Sequence, residues 1–199
     1  MNPLQLYFNS LKKSSINPVG NITYATWNSS DKDSNITLTN NNLTATSTNT
    51  SNQACRSTIG KSTGKWYIEL IINGTIVNSV SHGIETTSES LSALCGATTA
   101  GYGYNDVGQK KYNNVDSSYG TALANGDILS ILINLDYKQI SWRRNNTNFG
   151  VAFDGLSSSI FYVAFSSGFG INSVTANFGA SPFTYPVPFG YNPGLYDIN

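Results

Sequence analysis

The stretch RSTIGKSTGKWYIEL, residues 56–70, decides how the chain is read, because it holds Gly60-Lys61-Ser62 and then Gly64-Lys65-Trp66. A phosphate-cradling loop needs a glycine five residues before its Gly-Lys-Ser, so that backbone N–H groups can wrap the phosphates. Cys55 stands there, and the pattern fails. Such a loop also needs an apolar helix after it. Instead Trp66, Ile68 and Leu70 alternate with Tyr67, Glu69 and Ile71, the period of a strand. Gly60 and Gly64 are therefore turn residues between a strand that carries Arg56 and a strand that carries Trp66.

The same period of two, bounded by Gly, Asn or Asp, recurs along the chain and predicts an all-β protein. Strands are expected over residues 35–38, 43–47, 53–57, 65–72, 94–98, 127–135, 139–144, 161–166 and 173–177. Asn40-Asn41-Asn42 tolerates positive φ and predicts a hairpin, and Asp136-Tyr137-Lys138 predicts a second one. The apolar run from Ile128 to Leu135 suits a central strand buried on both faces. His82, followed by Gly83, is expected in a loop.

At 199 residues the chain suffices for one well-buried domain. Charged residues make up only 11% of it and the formal net charge is zero, which argues against nucleic acid or an anionic membrane as partner. Two cysteines and one histidine supply neither a disulfide framework nor a zinc site, so no metal or cofactor is expected, and Cys55 and Cys95 are read as buried thiols. The N-terminal residues lack the apolar core of a secretory signal, and no run reaches transmembrane length.

The order of the motifs resembles a SPRY domain, the core of the B30.2 family. The matching pieces are WNSSDKDSNITLTNNNLTAT, CRSTIGKSTGKWYIEL, ALCGATTAGYGYND, SSYGTALANGDILSILINLDYKQISWRRNNTNFGVAF and TANFGASPFTY, spread over roughly residues 24–185. The resemblance implies a bent β-sandwich of two antiparallel sheets, a concanavalin-like jelly roll, that binds proteins through loops at one edge and is not an enzyme. The domain is expected over residues 21–185, with an N-terminal arm (1–20) and a Pro/aromatic-rich tail (186–199). The family's aromatic-Lys-Asn-Gly is replaced by Trp142-Arg143-Arg144-Asn145-Asn146, which predicts a longer or differently shaped turn. Low charge and Asn/Thr-rich hairpins look more like SPRY domains of phage or other viral structural proteins, implying a virion protein with other virion proteins as partners. Otherwise the chain is expected to be a soluble cytoplasmic protein.

Glu69, in mid-strand, is expected to pair with Arg56. Asp127 and Asp136 lie at opposite ends of one strand, about 30 Å apart, too far for a two-carboxylate glycosidase site. The glycine-rich stretch from Gly101 to Asn114 is the binding candidate, read as a loop carrying Tyr102, Tyr104, Asn105, Asp106 and Tyr112, with Tyr119, Arg143 and Arg144 beside it. Core filling is the competing role for Tyr102 and Tyr104, while Tyr112 and Tyr119 are expected nearer the surface. Tyrosines with Asn and Asp also suit a carbohydrate- or receptor-binding module, with a host-surface glycan as ligand. In the tail, Phe189, Tyr191 and Tyr196 are candidate attachment residues, packing either on the domain itself or on a partner.

Overall fold

The structure is a computed structural model that describes residues 20–48, 51–74 and 79–199. Its strands in chain order are β1 (Ile22–Tyr24), β2 (Trp27–Lys32), β3 (Ile36–Thr39), β4 (Thr44–Ser47), β5 (Gln53–Lys61), β6 (Lys65–Asn73), β7 (Val80–Glu85), β8 (Gly101–Asn105) and β9 (Gln109–Tyr112). They continue with β10 (Val115–Ser118), β11 (Ile128–Asn134), β12 (Gln139–Arg144), β13 (Thr147–Asp154), β14 (Phe161–Ser167), β15 (Ser173–Asn177), β16 (Asn192–Pro193) and β17 (Tyr196–Ile198). One sheet runs β10-β9-β8-β7-β14-β5-β2, and the other β13-β12-β11-β6-β15-β4-β3 with β16 beside β6. Only the β16–β6 pairing is parallel among these ladders. Among the described residues no helix is long and apolar enough to cross a membrane.

The core forms where the two inner faces meet. The second sheet contributes Trp66, Ile68 and Leu70 of β6, Leu129, Ile131 and Ile133 of β11, and Trp142 of β12. Opposite them lie Ile84, Tyr104, Val163 and Phe165 from the first sheet. The strand β11 is buried on both faces, as its unbroken apolar run predicts.

The asparagine hairpins follow from local conformation. Asn40, Asn41 and Asn42 all have positive φ (53°, 52° and 61°), reversing the chain between β3 and β4. Of the longer or differently shaped turn expected at the Trp142-Arg143-Arg144 segment, the longer form is not found. Arg144 pairs with Thr147 across a two-residue turn whose Asn145 and Asn146 have φ of 47° and 65°. Positive φ at both central residues matches the right-handed strand twist, and asparagine tolerates it.

Three further expectations are corrected. Residues 94–98 form turns, not a strand. His82 lies within β7, paired to β14 and β8, and is buried against Phe165. The stretch from Gly101 is the hairpin β8–β9 and not a loop. Its glycines permit close approach: a Cβ at Gly103 would lie 2.4 Å from the Cys95 carbonyl oxygen, so the turns over residues 94–98 press directly on the strand. Cys55 and Cys95 are free buried thiols, as expected.

The Pro/aromatic tail is woven into the sandwich. Asn192 and Pro193 run along Trp66 and Tyr67, the Gly194 amide donates to the Tyr67 carbonyl (3.0 Å), and Leu195 is buried. β17 pairs with β1, and the Tyr196 ring meets Trp66 and Tyr24 edge-on. Tyr196 and Leu195 thus pack on their own domain, whereas Phe189 stands fully exposed.

Candidate functional site

The expected Arg56–Glu69 pair does not form, because β5 and β6 belong to different sheets. Arg56 instead grips Asp31 through Nε and Nη2, both at 2.7 Å, and donates from Nη1 to Glu85 (3.0 Å) and to the carbonyls of Thr86 and Glu89. Glu69 accepts from Tyr67 Oη (2.8 Å) and from the amides of Thr184 and Tyr185 (2.8 and 2.9 Å), clamping the segment before the tail to the outer face of β6. Both charges are thus structural.

The residues of the candidate tyrosine loop are mostly internal. Tyr104 is fully buried, and its hydroxyl donates to the Thr121 carbonyl at 2.6 Å. Burial pushes its phenol up to about 12. Tyr102, Asn105 and Asp106 are also buried, because the alternation of β8 turns both tyrosines into the core. Tyr112 is half-buried and stacks on Tyr102 at 4.8 Å, and Tyr119 is half-buried against Trp142 and Phe149. Arg144 Nε bonds Asp127 at 2.6 Å, and Arg143 stands on the outer face of β12. The grouping read from the sequence therefore does not form one exposed surface.

A different loop presents exposed apolar side chains. Residues 168–172 join β14 to β15, and Phe169 (58%) and Ile171 (73%) stand exposed there. The base of this loop is held firmly. Asn172 Nδ2 donates to the Phe169 carbonyl (2.7 Å) and to Ser167 Oγ (3.1 Å), and the Asn172 amide donates to Ser47 Oγ (2.8 Å). The Gly168 amide donates to the Ser79 carbonyl at 2.7 Å, and a Cβ there would meet Asn52 Oδ1 at 2.5 Å, so the loop is seated against both residues at this end of the sandwich. Beneath them lies a cavity of about 10 Å³, room for one water, bordered by His82, Asp106 and Asn172. Burial lowers His82 to about 3, which keeps it neutral. The sequence carried a signal for this loop: two predicted strands, 161–166 and 173–177, flank a Gly-rich segment that nonetheless holds Phe169 and Ile171.

The SPRY domain model matches residues 55–181. Over 114 residues the chain is 30% identical to the ATP-dependent RNA helicase Ddx1 of Drosophila melanogaster, a match covering 55% of this chain and 15% of the helicase. It is 28% identical to the Xenopus laevis ATP-dependent RNA helicase DDX1 over 69% of this chain and 18% of that protein. It is 27% identical to the Arabidopsis thaliana E3 ubiquitin-protein ligase RKP over 65% of this chain and 10% of the ligase. The matched region thus spans under a fifth of each relative. Among solved structures, the SPRY domain of human HERC1 superposes with a TM-score of 0.67 at 12% identity, over 75% of this chain and 96% of that one. Stonustoxin gives 0.63 at 18% identity, over 78% of this chain and 27% of that one.

Proposed function

The chain belongs to the SPRY domain family, whose members are non-catalytic interaction modules, and from that premise we propose that it holds a protein partner at the end of the sandwich that carries Phe169 and Ile171. One observation carries the reading: two large apolar side chains stand in solvent on a loop whose base is fixed by buried hydrogen bonds. A rigid loop loses little entropy on docking, and exposed aromatic and aliphatic anchors are what interface hot spots are made of. The virion setting, as a decoration, tail or fibre-associated protein, and the glycan-binding alternative draw support from composition alone. The tyrosines that suggested sugar stacking are largely internal.

A photo-crosslinking side chain at position 169 tests the proposal, with the same group at the exposed Tyr137 as control. In extracts of the source organism the 169 probe is expected to label one protein, and unlabelled domain should compete. The F169S/I171S double variant should not. Equal labelling from both positions would sink the reading. Reproducible signal on a glycan array, lost in the same variant, would transfer the site to sugar.

A further inference from the structure

We propose that the outer face of the second sheet carries another docking surface, where Phe189 enters an apolar pocket of a protein partner and Arg143 receives a carboxylate from that partner. The surface is separate from the loop end that carries Phe169.

Phe189 is fully exposed, yet the chain around it is held. It occupies the second position of a turn closed by the Tyr191 amide on the Pro188 carbonyl (3.1 Å), and Gly190 in the third position has φ of 83°. That positive φ marks a type II turn, in which glycine belongs. Before the turn, Glu69 anchors Thr184 and Tyr185. After it, Asn192 and Pro193 lie along β6. A ring of this size on a fixed turn is a knob presented to solvent, not a side chain on a loose end.

Arg143 supplies the second half. The chain has three arginines. Arg56 and Arg144 each pair with carboxylates, whereas the Arg143 side chain has no ion pair or hydrogen bond among the described residues. Its Nε is buried without an acceptor. Its cross-strand neighbours are Ser130 and Asn148, and Ser130 in turn lies opposite Glu69 and bonds the Tyr67 hydroxyl, so Arg143 shares the outer face with the residues that anchor Thr184 and Tyr185 ahead of the Phe189 turn. The carboxylate of this face, Glu69, already accepts three hydrogen bonds. A partly desolvated guanidinium whose buried Nε–H has no acceptor is costly, and a planar carboxylate from outside relieves that cost with two parallel bonds. Val151, 53% exposed and paired with Ser141 on the same face, extends the apolar rim. This charge complementarity commits the occupant to a protein segment that joins an acidic residue to an apolar one.

The full chain, immobilised, is to be panned against a random-peptide display library, and a synthetic peptide from the enriched set titrated against variants. The expected family pairs Asp or Glu with apolar residues. Its affinity should fall about tenfold or more in F189S and in R143E, as for a hot-spot anchor and a desolvated charge. R143K should retain part of it, and F169S all of it. Changing the peptide's acid to Lys should recover binding to R143E. Unchanged melting temperatures would show that the variants fold. Failure to enrich such peptides, affinity indifferent to both F189S and R143E, or loss in F169S instead, each overturns the proposal. A concentration-dependent dimer abolished by F189S overturns it too, by giving the face to a second copy of the chain.

Discussion

Arg56 and Asp31, on neighbouring strands of one sheet, meet in a fork of two hydrogen bonds of 2.7 Å each, with the arginine almost wholly withdrawn from solvent. The same guanidinium reaches Glu85 and two carbonyls of the turns that follow β7. It therefore ties β2, β5 and β7 to the segment that covers them. Removing one partner of such a buried pair strands the other charges.

Arg56→Ala should accordingly cost about 3 to 5 kcal/mol of stability, measured by urea unfolding. Arg56→Lys should recover little, because an ammonium lacks the planar fork. A loss below about 1 kcal/mol, as for an exposed pair, would show that the fork contributes little.

Truncation of the tail is the second test. Deleting residues 192–199 removes Leu195 and Tyr196 and uncovers Trp66, so the melting temperature should drop markedly. Trp66→Ala should cost about 3 to 5 kcal/mol by itself, since its ring lies between the core and the tail. A deletion that leaves melting unchanged contradicts the packing of the tail.

Tyr104 and Tyr112 should separate. Tyr104→Ser empties a fully buried site and strands the Thr121 carbonyl, for a loss of about 3 to 5 kcal/mol, whereas Tyr112→Ser should cost clearly less. Tyr104→Phe isolates the hydroxyl and should cost about 0.5 to 1.5 kcal/mol. Equal losses at positions 104 and 112 would reverse the assignment of inner and outer rings.

The pH dependence of stability carries a signature of His82. Burial depresses its folded-state value from 6.5 to about 3, so between these limits the unfolded chain binds a proton that the folded chain refuses. Its contribution is complete above pH 6.5 and is lost as the pH falls towards 3. Across that window the difference in stability between the wild type and His82→Leu should change by up to about 1.4 kcal/mol per pH unit, one proton's worth. A flat difference curve would mean that the ring titrates with solvent access.

Part of this architecture is settled between adjacent residues, and that part can be read without the fold. Alternation in residues 65–72 and the apolar run from Ile128 to Leu135 were legible because a strand's period is local, and Asn40 to Asn42 marked a hairpin because positive φ is a property of the residue. The order of these motifs also sufficed for the SPRY fold. Glycine blurred the reading at Gly101 and Gly103, since the same residue serves a free loop and a strand pressed upon by another backbone. The partners of Arg56 and Glu69 were beyond reach as well. Both strands were foreseen, but which sheet each joins is decided by pairings far apart in the chain, and a charge finds its counter-charge only after those pairings form. The exposure of Phe169 and Phe189 and the unpartnered, buried Nε of Arg143 are likewise tertiary results, because a side chain is left in solvent or without a partner only when the packed sheets have no room or partner for it.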